Sequence, residues 1–335
     1  MNNLILLAIP LIFYFSFIFG KKFNIIDKPN NRKVHSIPIV ATGGIAVLLT
    51  TYLIIWATYF DIVLADIFFY GFFILIIGVI DDKYNLNISI RLLFYFFIVF
   101  YFTESSGLQI DKIYITNTLS ISLGGFKLIF TILAVLLIIN SCNYIDGLDG
   151  LLTLNIILIL TFFILIQKFT YSYINFDLIY VIIALLIYTF FNYQIFNLPK
   201  MFLGNGGSYT LGFILANICI YYGFFSEIRI HPLIIMWLLG FFVFEFISIN
   251  FSRIIRKKGI FNPGKDHIQY LFFDYTKSHF LSTLGILFLS TTISLIGILL
   301  YKINFSLNIL IYLVSFTLYF YIREHIMKKK SYFKS

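Results

Sequence analysis

Long apolar runs separated by short polar connectors dominate the sequence. Eleven runs are long enough to count as membrane spans, since about 20 mostly apolar residues cross a ~30 Å hydrocarbon core. The predicted spans are 3–20, 43–60, 63–80, 88–103, 127–145, 151–167, 177–193, 209–225, 232–252, 280–301 and 305–322. The pattern therefore predicts an all-α, polytopic membrane protein that forms one transmembrane domain over residues 1–335.

The distribution of basic residues predicts how these spans are oriented. With the N-terminus outside, nineteen of the 24 Lys and Arg residues fall in the inner segments, as the positive-inside rule expects. Adding or omitting one mid-chain span would remove that asymmetry. The first span is followed by Lys21 and Lys22 and lacks a small-residue cleavage site, so we interpret it as a retained helix. The sequence thus predicts eleven spans, with the C-terminus in the cytoplasm.

Composition excludes several classes of protein. Hydrophobic residues make up 60% of the chain and charged residues 12%, about half the ~25% of an ordinary soluble domain. Cys142 and Cys219 both lie in apolar runs, which excludes a disulfide framework and a zinc-ligand spacing. The net charge is +9, but the basic residues are dispersed between apolar runs, so no nucleic-acid partner is expected.

Polar residues that are costly in a membrane gather on the predicted cytoplasmic side. They are Asp81, Asp82, Asn140, Asn143, Asp146, Asp149, Asn205, Glu245, Asp266, His35 and His267. A transporter typically carries such groups at mid-depth on broken, repeat-related helices, and the sequence shows no internal repeat. Polar groups at helix ends on one face favour an enzyme that joins a cytosolic substrate to a lipid.

Two motifs lie near the starts of the inner loops. In the first loop, Arg32, Lys33 and His35 precede a Gly-Gly pair at the start of a span, where backbone N–H groups can bind phosphate. An ordinary positive loop is the alternative. At the end of the third span, the adjacent carboxylates of Asp81 and Asp82 repel each other, and a hard divalent cation would neutralise them. The alternative is a solvated helix end with basic counter-ions.

Three further polar segments follow. Between the fifth and sixth spans, Asn140, Asn143, Asp146 and Asp149 recur every three residues, with two glycines that permit a sharp turn. This segment carries two acids and no Lys or Arg, which argues against a simple capped connection. The segment 199–208, which ends in Gly-Asn-Gly-Gly-Ser, is predicted as a loop that packs against a ligand or as a plain re-entry turn. In 253–279, the basic residues fit a membrane anchor, whereas the Asp-His pair at 266–267 fits a catalytic loop.

In this order and spacing, the segments resemble the polyprenyl-phosphate N-acetylhexosamine-1-phosphate transferases, the WecA/MraY family, and are closer to the WecA branch. The resemblance runs from about Asp27 to His267. It implies transfer of a sugar 1-phosphate from a UDP-sugar to a polyprenyl phosphate with release of UMP. It also implies a bacterial inner-membrane location, a cytoplasmic active site, Mg²⁺ (or Mn²⁺) as cofactor, and a role in O-antigen or a related surface glycan. A homodimer is compatible with this assignment.

The resemblance also implies roles for individual residues. Asn143 and Asn205 are the expected metal ligands. Asp81 or Asp82 would position or deprotonate the lipid phosphate, and a two-step route through an aspartyl-phosphate is the alternative to direct transfer. The expected catalytic residues are Asp81, Asp82, Asp146, Asp149 and His267. The expected substrate- or cofactor-binding residues are Arg32, Lys33, His35, Lys83, Asn140, Gly204 and Ser208.

Three positions depart from the family pattern. Asn205 stands where the family usually has an Asp that binds Mg²⁺, Glu245 where an Asp is common, and His267 alone where a His pair is usual. Two other classes therefore remain open. One is a non-catalytic relative that binds lipid-linked precursors, which a UMP-release assay would distinguish, and the other is a multispan transporter, which substrate flux into proteoliposomes would distinguish.

Overall fold

The computed structural model of the chain describes residues 3–29, 36–58, 60–114, 119–257, 259, 264, 266–301 and 304–332. The α-helices are α1 (Asn3–Lys22), α2 (Gly43–Ala57), α3 (Ile62–Tyr84), α4 (Ile88–Ser106), α5 (Lys127–Ile145), α6 (Leu151–Tyr171), α7 (Phe176–Asn192), α8 (Gly204–Ile220), α9 (Pro232–Leu238), α10 (Gly240–Ile255), α11 (Ile268–Thr276), α12 (His279–Leu300) and α13 (Phe305–Tyr332). Short 3₁₀ helices cover Gly124–Phe126 and Ile195–Asn197, and a π-helical turn, Tyr221–Phe225, continues α8.

Four short strands complete the described structure. The strand β1 (Ile26–Asp27) pairs antiparallel with β2 (Ile39–Val40), and β3 (Lys112–Tyr114) pairs antiparallel with β4 (Ser120–Ser122). Val40 also forms a parallel bridge to Met201, and its carbonyl accepts a hydrogen bond from the Phe202 N–H at 2.8 Å. The first inner connection is thereby joined to the segment that precedes α8.

Each of the eleven predicted spans falls on a helix or, for the ninth, on a pair of helices, and most boundaries differ by only a few residues. Three differences are larger or change the shape of the span. The eighth predicted span begins earlier, because the Gly-Asn-Gly-Gly run that was predicted as a loop is the first turn of α8. The ninth consists of α9 and α10, which are bent by 60° relative to each other. The last helix, α13, continues ten residues beyond the predicted end at 322.

Length and composition identify the helices that can cross a bilayer. Among the described residues, seven helices are long and apolar enough, or eight if the bent pair α9 and α10 is one span. The helices α2 and α7 are apolar but have only 15 and 17 residues. The chain is therefore an all-α, multi-pass membrane protein, while the number eleven and the orientation of the termini remain predictions.

The helix α8 occupies the centre of the bundle. In its most apolar stretch 83% of the residues are buried, against 22% in both α4 and α13. Glycines allow its neighbours to approach closely: a Cβ on Gly78 of α3 would lie 2.3 Å from the Gly206 Cα, and one on Gly44 of α2 would lie 2.2 Å from the Gly207 Cα. Small residues at such contacts are typical of membrane helix packing. The start of α2, the end of α3 and the start of α8 consequently meet at one place.

Candidate active site

A cavity of about 300 Å³ opens where α3 ends and α8 begins. Five of the residues that the sequence predicts for the site line it together, namely Asp82, Asp146, Asp149, Gly204 and Asn205. The remaining lining residues are Ile26, Asp27, Ala41, Asn85, Gly147, Leu148, Tyr188, Asn192, Phe202, Leu203, Tyr270 and His279. Segments far apart in sequence thus form one polar site at one end of the bundle.

The carboxylate of Asp82 caps the first turn of α8. Its Oδ1 accepts a hydrogen bond from the Asn205 backbone N–H at 2.9 Å, and its Oδ2 accepts one from the Gly206 N–H at 3.2 Å. Helix N-termini have unpaired N–H groups and a positive dipole end, which a carboxylate satisfies. This contact is a physical reason why the glycine-rich run is helical rather than a loop.

Gly204 is required by two local constraints. Its φ is +78°, in the left-handed region that favours glycine, and a Cβ there would lie 2.7 Å from both the Ala41 carbonyl oxygen and Asp82 Oδ2. Gly204 therefore lets the chain enter α8 directly against Asp82, while its role in binding remains a prediction.

Asp81 points into the protein rather than into the cavity. It is 3% exposed, and its Oδ2 accepts hydrogen bonds from the Arg91 guanidinium at 2.6 Å and from Asn205 Nδ2 at 3.0 Å. Asn205 Oδ1 accepts a hydrogen bond from Asn143 Nδ2 at 3.1 Å, and the same Nδ2 donates to Ser208 Oγ at 2.9 Å. Five side chains from α3, α4, α5 and α8 thus form one connected network beside the cavity.

Both residues that were predicted as metal ligands belong to this network. Asn205 lines the cavity, whereas Asn143 is not among its lining residues in the described part of the chain. The Asn143 Oδ1 accepts a hydrogen bond from the Tyr209 hydroxyl at 3.1 Å, so this amide is directed towards α8. The structure therefore separates the two residues, with Asn205 beside the cavity and Asn143 behind it.

The turn between α5 and α6 brings Asp146 and Asp149 to the cavity. Gly150 has a φ of +69°, and its N–H donates to Asn192 Oδ1 at 2.7 Å. A Cβ at this position would lie 2.4 Å from the Tyr193 ring, so only glycine fits. The tight turn explains how two acids three residues apart reach the same space.

The two acids of this turn differ in their surroundings. Lys200 Nζ donates to Asp149 Oδ2 at 2.6 Å. Within the described ranges the Asp146 carboxylate accepts no hydrogen bond and forms no ion pair. Burial and the neighbouring carboxylates of Asp82 and Asp149 raise the pKa of Asp146 to about 8. Asp146 is therefore the acid whose charge most needs a cation.

The cavity suits a hard divalent cation. Four carboxylates line it, and no Lys or Arg is among the described lining residues. No group of three or more His, Cys, Asp or Glu side chains is close enough to hold one ion in the parts of the chain that the structure describes. Mg²⁺ characteristically binds one or two carboxylates and completes its shell with water and substrate phosphates. The oxygen-rich, acidic lining fits that pattern.

Several predicted site residues lie elsewhere. Lys83 is exposed, and its Nζ lies over the Tyr84 ring, 5.4 Å from the centroid. Asn140 Nδ2 donates to the Leu136 carbonyl within its own helix at 2.7 Å. Ser208 faces Asn143, as described above. Neither Lys83 nor Asn140 is among the described residues that line the cavity, because each side chain leaves its helix on another face. Arg32, Lys33 and His35 lie outside the described residues.

His267 is also separated from the cavity lining. It is buried, its ring lies edge-on to those of Tyr144 and Tyr270, and burial lowers its pKa to about 4. Among the described residues, its neighbour Tyr270 lines the cavity and His267 does not. His267 immediately precedes α11 and is buried inside the bundle, whereas Tyr270 lies within α11 and reaches the cavity.

Buried ion pairs hold the segment around Asp266 in place. Burial raises the pKa of Asp266, but two hydrogen bonds of 2.9 Å from the Arg253 guanidinium outweigh that effect and bring the pKa to about 2. Arg323 of α13, which is fully buried, donates to the Asp266 carbonyl. Glu245 Oε1 accepts a hydrogen bond from the Ile268 N–H at 2.7 Å. Glu245 and Asp266 therefore anchor α11 instead of lining the cavity.

Four residues at the site were not singled out by the sequence patterns. Asp27, Tyr270 and His279 line the cavity, and Lys200 contacts Asp149. Asp27 lies in the first inner loop, five residues before Arg32, and Lys200 lies in the segment 199–208, so proximity to a motif was a usable signal for both. His279 lies at the start of α12, where only the single histidine before an apolar run could have indicated it.

These observations first define a class: a multi-pass helical membrane protein with an acidic, enzyme-type cavity at one end of its bundle. The family model of glycosyl transferase family 4 matches residues 64–223, which include Asp81 and Asp82 of α3, the turn after α5 and the start of α8. Over this segment, just under half of its length, the chain is similar to glycosyl transferase family 4.

Named relatives agree with this assignment. A protein of Bacillus subtilis named probable undecaprenyl-phosphate N-acetylglucosaminyl 1-phosphate transferase is 28% identical over 87% of this chain and 81% of its own length. Proteins of Thermotoga maritima and Escherichia coli K12, both named undecaprenyl-phosphate alpha-N-acetylglucosaminyl 1-phosphate transferase, are each 26% identical. The alignments cover 76% and 80% of this chain, and 75% and 74% of the relatives.

Proposed function

We propose that this protein transfers an N-acetylhexosamine 1-phosphate from a UDP-sugar to undecaprenyl phosphate, or a similar polyprenyl phosphate, and releases UMP. The observation that carries this proposal is the convergence of Asp82, Asp146 and Asp149 on one cavity, inside the segment that the family model matches. The names of the relatives supply the acceptor and the transferred group.

The reaction requires little covalent chemistry from the protein. An oxygen of the lipid phosphate attacks the phosphorus that carries the sugar, a new P–O bond forms, and the bond from that phosphorus to the UMP oxygen breaks. The leaving UMP takes the electron pair. Phosphoryl transfer of this kind depends on positioning and on neutralising the charge of the diphosphate. The buried acidic cavity therefore has to hold a cation and two anionic substrates together.

The environments of the acids suggest different roles for each. Asp82 lines the cavity but is held by two backbone N–H groups, so it suits positioning. Among the described residues the Asp146 carboxylate has no hydrogen-bond or ion-pair partner, and its pKa is raised, so it suits a contact with the cation or the attacking phosphate. Asp81 is occupied by Arg91 and Asn205, and we assign it a supporting role.

The cofactor in this proposal is Mg²⁺, with Mn²⁺ as a substitute. Asp146 and Asp82 would hold it, with the Asn205 amide beside them, and we place Asn143 behind Asn205 as its support. When bound, the ion would neutralise the diphosphate and make UMP a better leaving group. The four carboxylates among the lining residues, with no Lys or Arg among those described, support this assignment.

We further propose that the cavity faces the cytoplasm of a bacterial inner membrane, with the N-terminus outside and eleven spans in one domain. Support comes from the concentration of Lys and Arg in the segments on the cavity side. A nucleotide-sugar is a cytosolic substrate, and the acceptor tail lies in the bilayer, so this orientation brings both to one site. A first membrane step of O-antigen or a related surface polysaccharide fits such a reaction.

One experiment tests the proposal directly. The protein in lipid nanodiscs is incubated with undecaprenyl phosphate, Mg²⁺ and a panel of UDP-sugars, and UMP is measured with and without EDTA. We expect Mg²⁺-dependent UMP release that is lost in Asp146→Asn and strongly reduced in Asp82→Asn. The exposed Asp274 of α11 provides the matched control, Asp274→Asn, which should retain wild-type release.

Two results would contradict the proposal. A folded wild-type protein that binds UDP-sugars but releases no UMP would indicate a non-catalytic precursor-binding relative. Equal release from wild type and Asp146→Asn would remove the open carboxylate from the reaction.

A further inference from the structure

Asp149 is fixed by contacts from three other parts of the chain. Its backbone N–H donates to His279 Nδ1 at 3.3 Å, and its carbonyl accepts hydrogen bonds from the hydroxyls of Tyr193 at 2.6 Å and Thr283 at 3.0 Å. Its Oδ2 lies 2.6 Å from Lys200 Nζ and 3.4 Å from His279 Nδ1. The N–H, the carbonyl and the carboxylate of one residue are therefore all engaged.

Asp146, three residues earlier in the same turn, has the opposite character. Its carboxylate lines the cavity and makes no hydrogen bond or ion pair within the described ranges. A tight turn behaves as a unit, so fixing Asp149 also fixes the direction in which Asp146 projects. The contacts from α12 come from His279, which lines the cavity, and from Thr283, and both lie outside the segment that the family model matches.

We propose that His279 is a positioning residue: through Nδ1 it holds the Asp149 N–H, and so directs the Asp146 carboxylate into the cavity. Asp149 is then the anchor of the turn, and Asp146 is the acid that acts. This inference rests on the proposed function, since it assigns a support for the acid used in that reaction. It also joins α12 to the site, a helix that carries none of the site residues predicted from the sequence motifs.

The chemistry of the contact determines which substitution should restore it. In the contact with the Asp149 N–H, His279 Nδ1 accepts, which places the ring proton of a neutral imidazole on Nε2. Nδ1 then has no proton for Asp149 Oδ2, 3.4 Å away, and that oxygen is held by Lys200. Asparagine places its side-chain oxygen near the position of Nδ1, whereas glutamine places its oxygen near that of Nε2. If His279 positions the turn through Nδ1, Asn should therefore substitute for it functionally. If His279 instead acted on the substrate through Nε2, Asn should not.

The first measurement is UMP release by His279→Ala, His279→Asn and His279→Gln in nanodiscs. We expect kcat to fall about 10- to 100-fold in the Ala and Gln variants, because displacing a catalytic group by ~1 Å costs on the order of a hundredfold in rate. The KM for the UDP-sugar should change much less, and His279→Asn should recover most of the kcat. His325→Asn, at an exposed position on α13, is the matched control and should behave as wild type.

The second measurement does not depend on turnover. Hydrogen exchange of the peptide that contains residues 146–150, followed by mass spectrometry, should be several-fold faster in His279→Ala and His279→Gln and unchanged in His279→Asn. Thr283→Val, which removes the other α12 contact with Asp149, should also speed exchange and lower kcat. This variant keeps the test available if a His279 variant folds poorly.

The outcomes separate the two proposals. If wild type releases no UMP with any UDP-sugar, the proposed function fails, and the exchange data still decide whether His279 holds the turn. If wild type is active but exchange is unchanged in His279→Ala, the positioning role is wrong. Recovery by Gln rather than Asn, or full activity in all three variants, would likewise overturn it.

Discussion

Replacing Asn205 by Asp introduces the acid that the resemblance to the WecA/MraY family leads us to expect at this position. The new carboxylate would lie next to the buried carboxylate of Asp81. The Asn205 Nδ2 donates to Asp81 Oδ2 at 3.0 Å, and Asp81 is 3% exposed. In Asn205→Asp this donor becomes an oxygen, so two carboxylates face each other. The Arg91 guanidinium, 2.6 Å from the same Asp81 oxygen, is already engaged and offsets only part of the repulsion.

The expected magnitude follows from this geometry. Two like charges ~4 Å apart repel by about 4 kcal/mol at an effective dielectric of ~20. Loss of a hydrogen bond to a charged group adds roughly 1.5–3 kcal/mol, and Arg91 and local rearrangement recover some of the total. We expect Asn205→Asp to lose about 3 kcal/mol of stability in EDTA, and its Tm to fall by about 5 °C or more.

A divalent cation should reverse this effect if it binds beside residue 205. The assay is thermal unfolding of wild type and Asn205→Asp in nanodiscs, in EDTA and across a Mg²⁺ titration. Mg²⁺ should raise the Tm of the variant more than that of wild type, and half-maximal activity should need less Mg²⁺. Asn140→Asp is the control, since that amide donates to the Leu136 carbonyl rather than to a carboxylate, and its stability loss should be smaller.

Two results would refute the reasoning. An Asn205→Asp variant that melts at or above the wild-type temperature in EDTA would show that the amide contact with Asp81 does not stabilise the fold. Equal Mg²⁺ shifts in both proteins would show that residue 205 does not reach the ion.

Three other predictions follow from the structure. The pKa of Asp146 is about 8 in the folded protein and ~3.9 in the unfolded chain, so between these pH values the folded state binds more protons. The free energy of unfolding in EDTA should therefore fall as the pH rises from 4 to 8. Asp146→Asn should remove this fall in a pH series of melting temperatures, and an unchanged slope would contradict the assignment. Gly204→Ala should destabilise the protein by roughly 1–3 kcal/mol through its φ of +78° and two contacts at 2.7 Å, whereas Gly125→Ala, with open space around the Cβ, should not. A cysteine that replaces the exposed Lys83 should be labelled from the cytoplasmic side of the membrane, and one that replaces Lys112 from the outer side. Labelling of position 83 by an impermeant reagent in intact cells would show that the predicted orientation is inverted.

Periodicity and local chemistry were sufficient for the helices and for part of the site. Each predicted span coincides with a helix because about 20 apolar residues in a bilayer have no other way to satisfy their backbone groups. The Asp81-Asp82 pair, the turn with Asp146 and Asp149, and Gly204-Asn205 were identified because acids and glycines at the ends of apolar helices are unusual. These signals are local, and they persist whatever the arrangement of the helices.

Tertiary structure alone decided which of those residues face the cavity. Asp81 and Asp82 are adjacent, yet a helix turns by about 100° per residue, so one contacts Arg91 inside the bundle and the other lines the cavity. The contact between Asn205 and Asp81 could not be predicted from the sequence, because it depends on the close glycine contact between α3 and α8. His267 was predicted and His279 was not, because their positions depend on how α11 and α12 pack against the turn after α5. The sequence by itself therefore determined the helices and identified five of the residues that line the cavity. The packing of the helices determined the other lining residues, and which acid is buried, which is capped and which has no partner among the described residues.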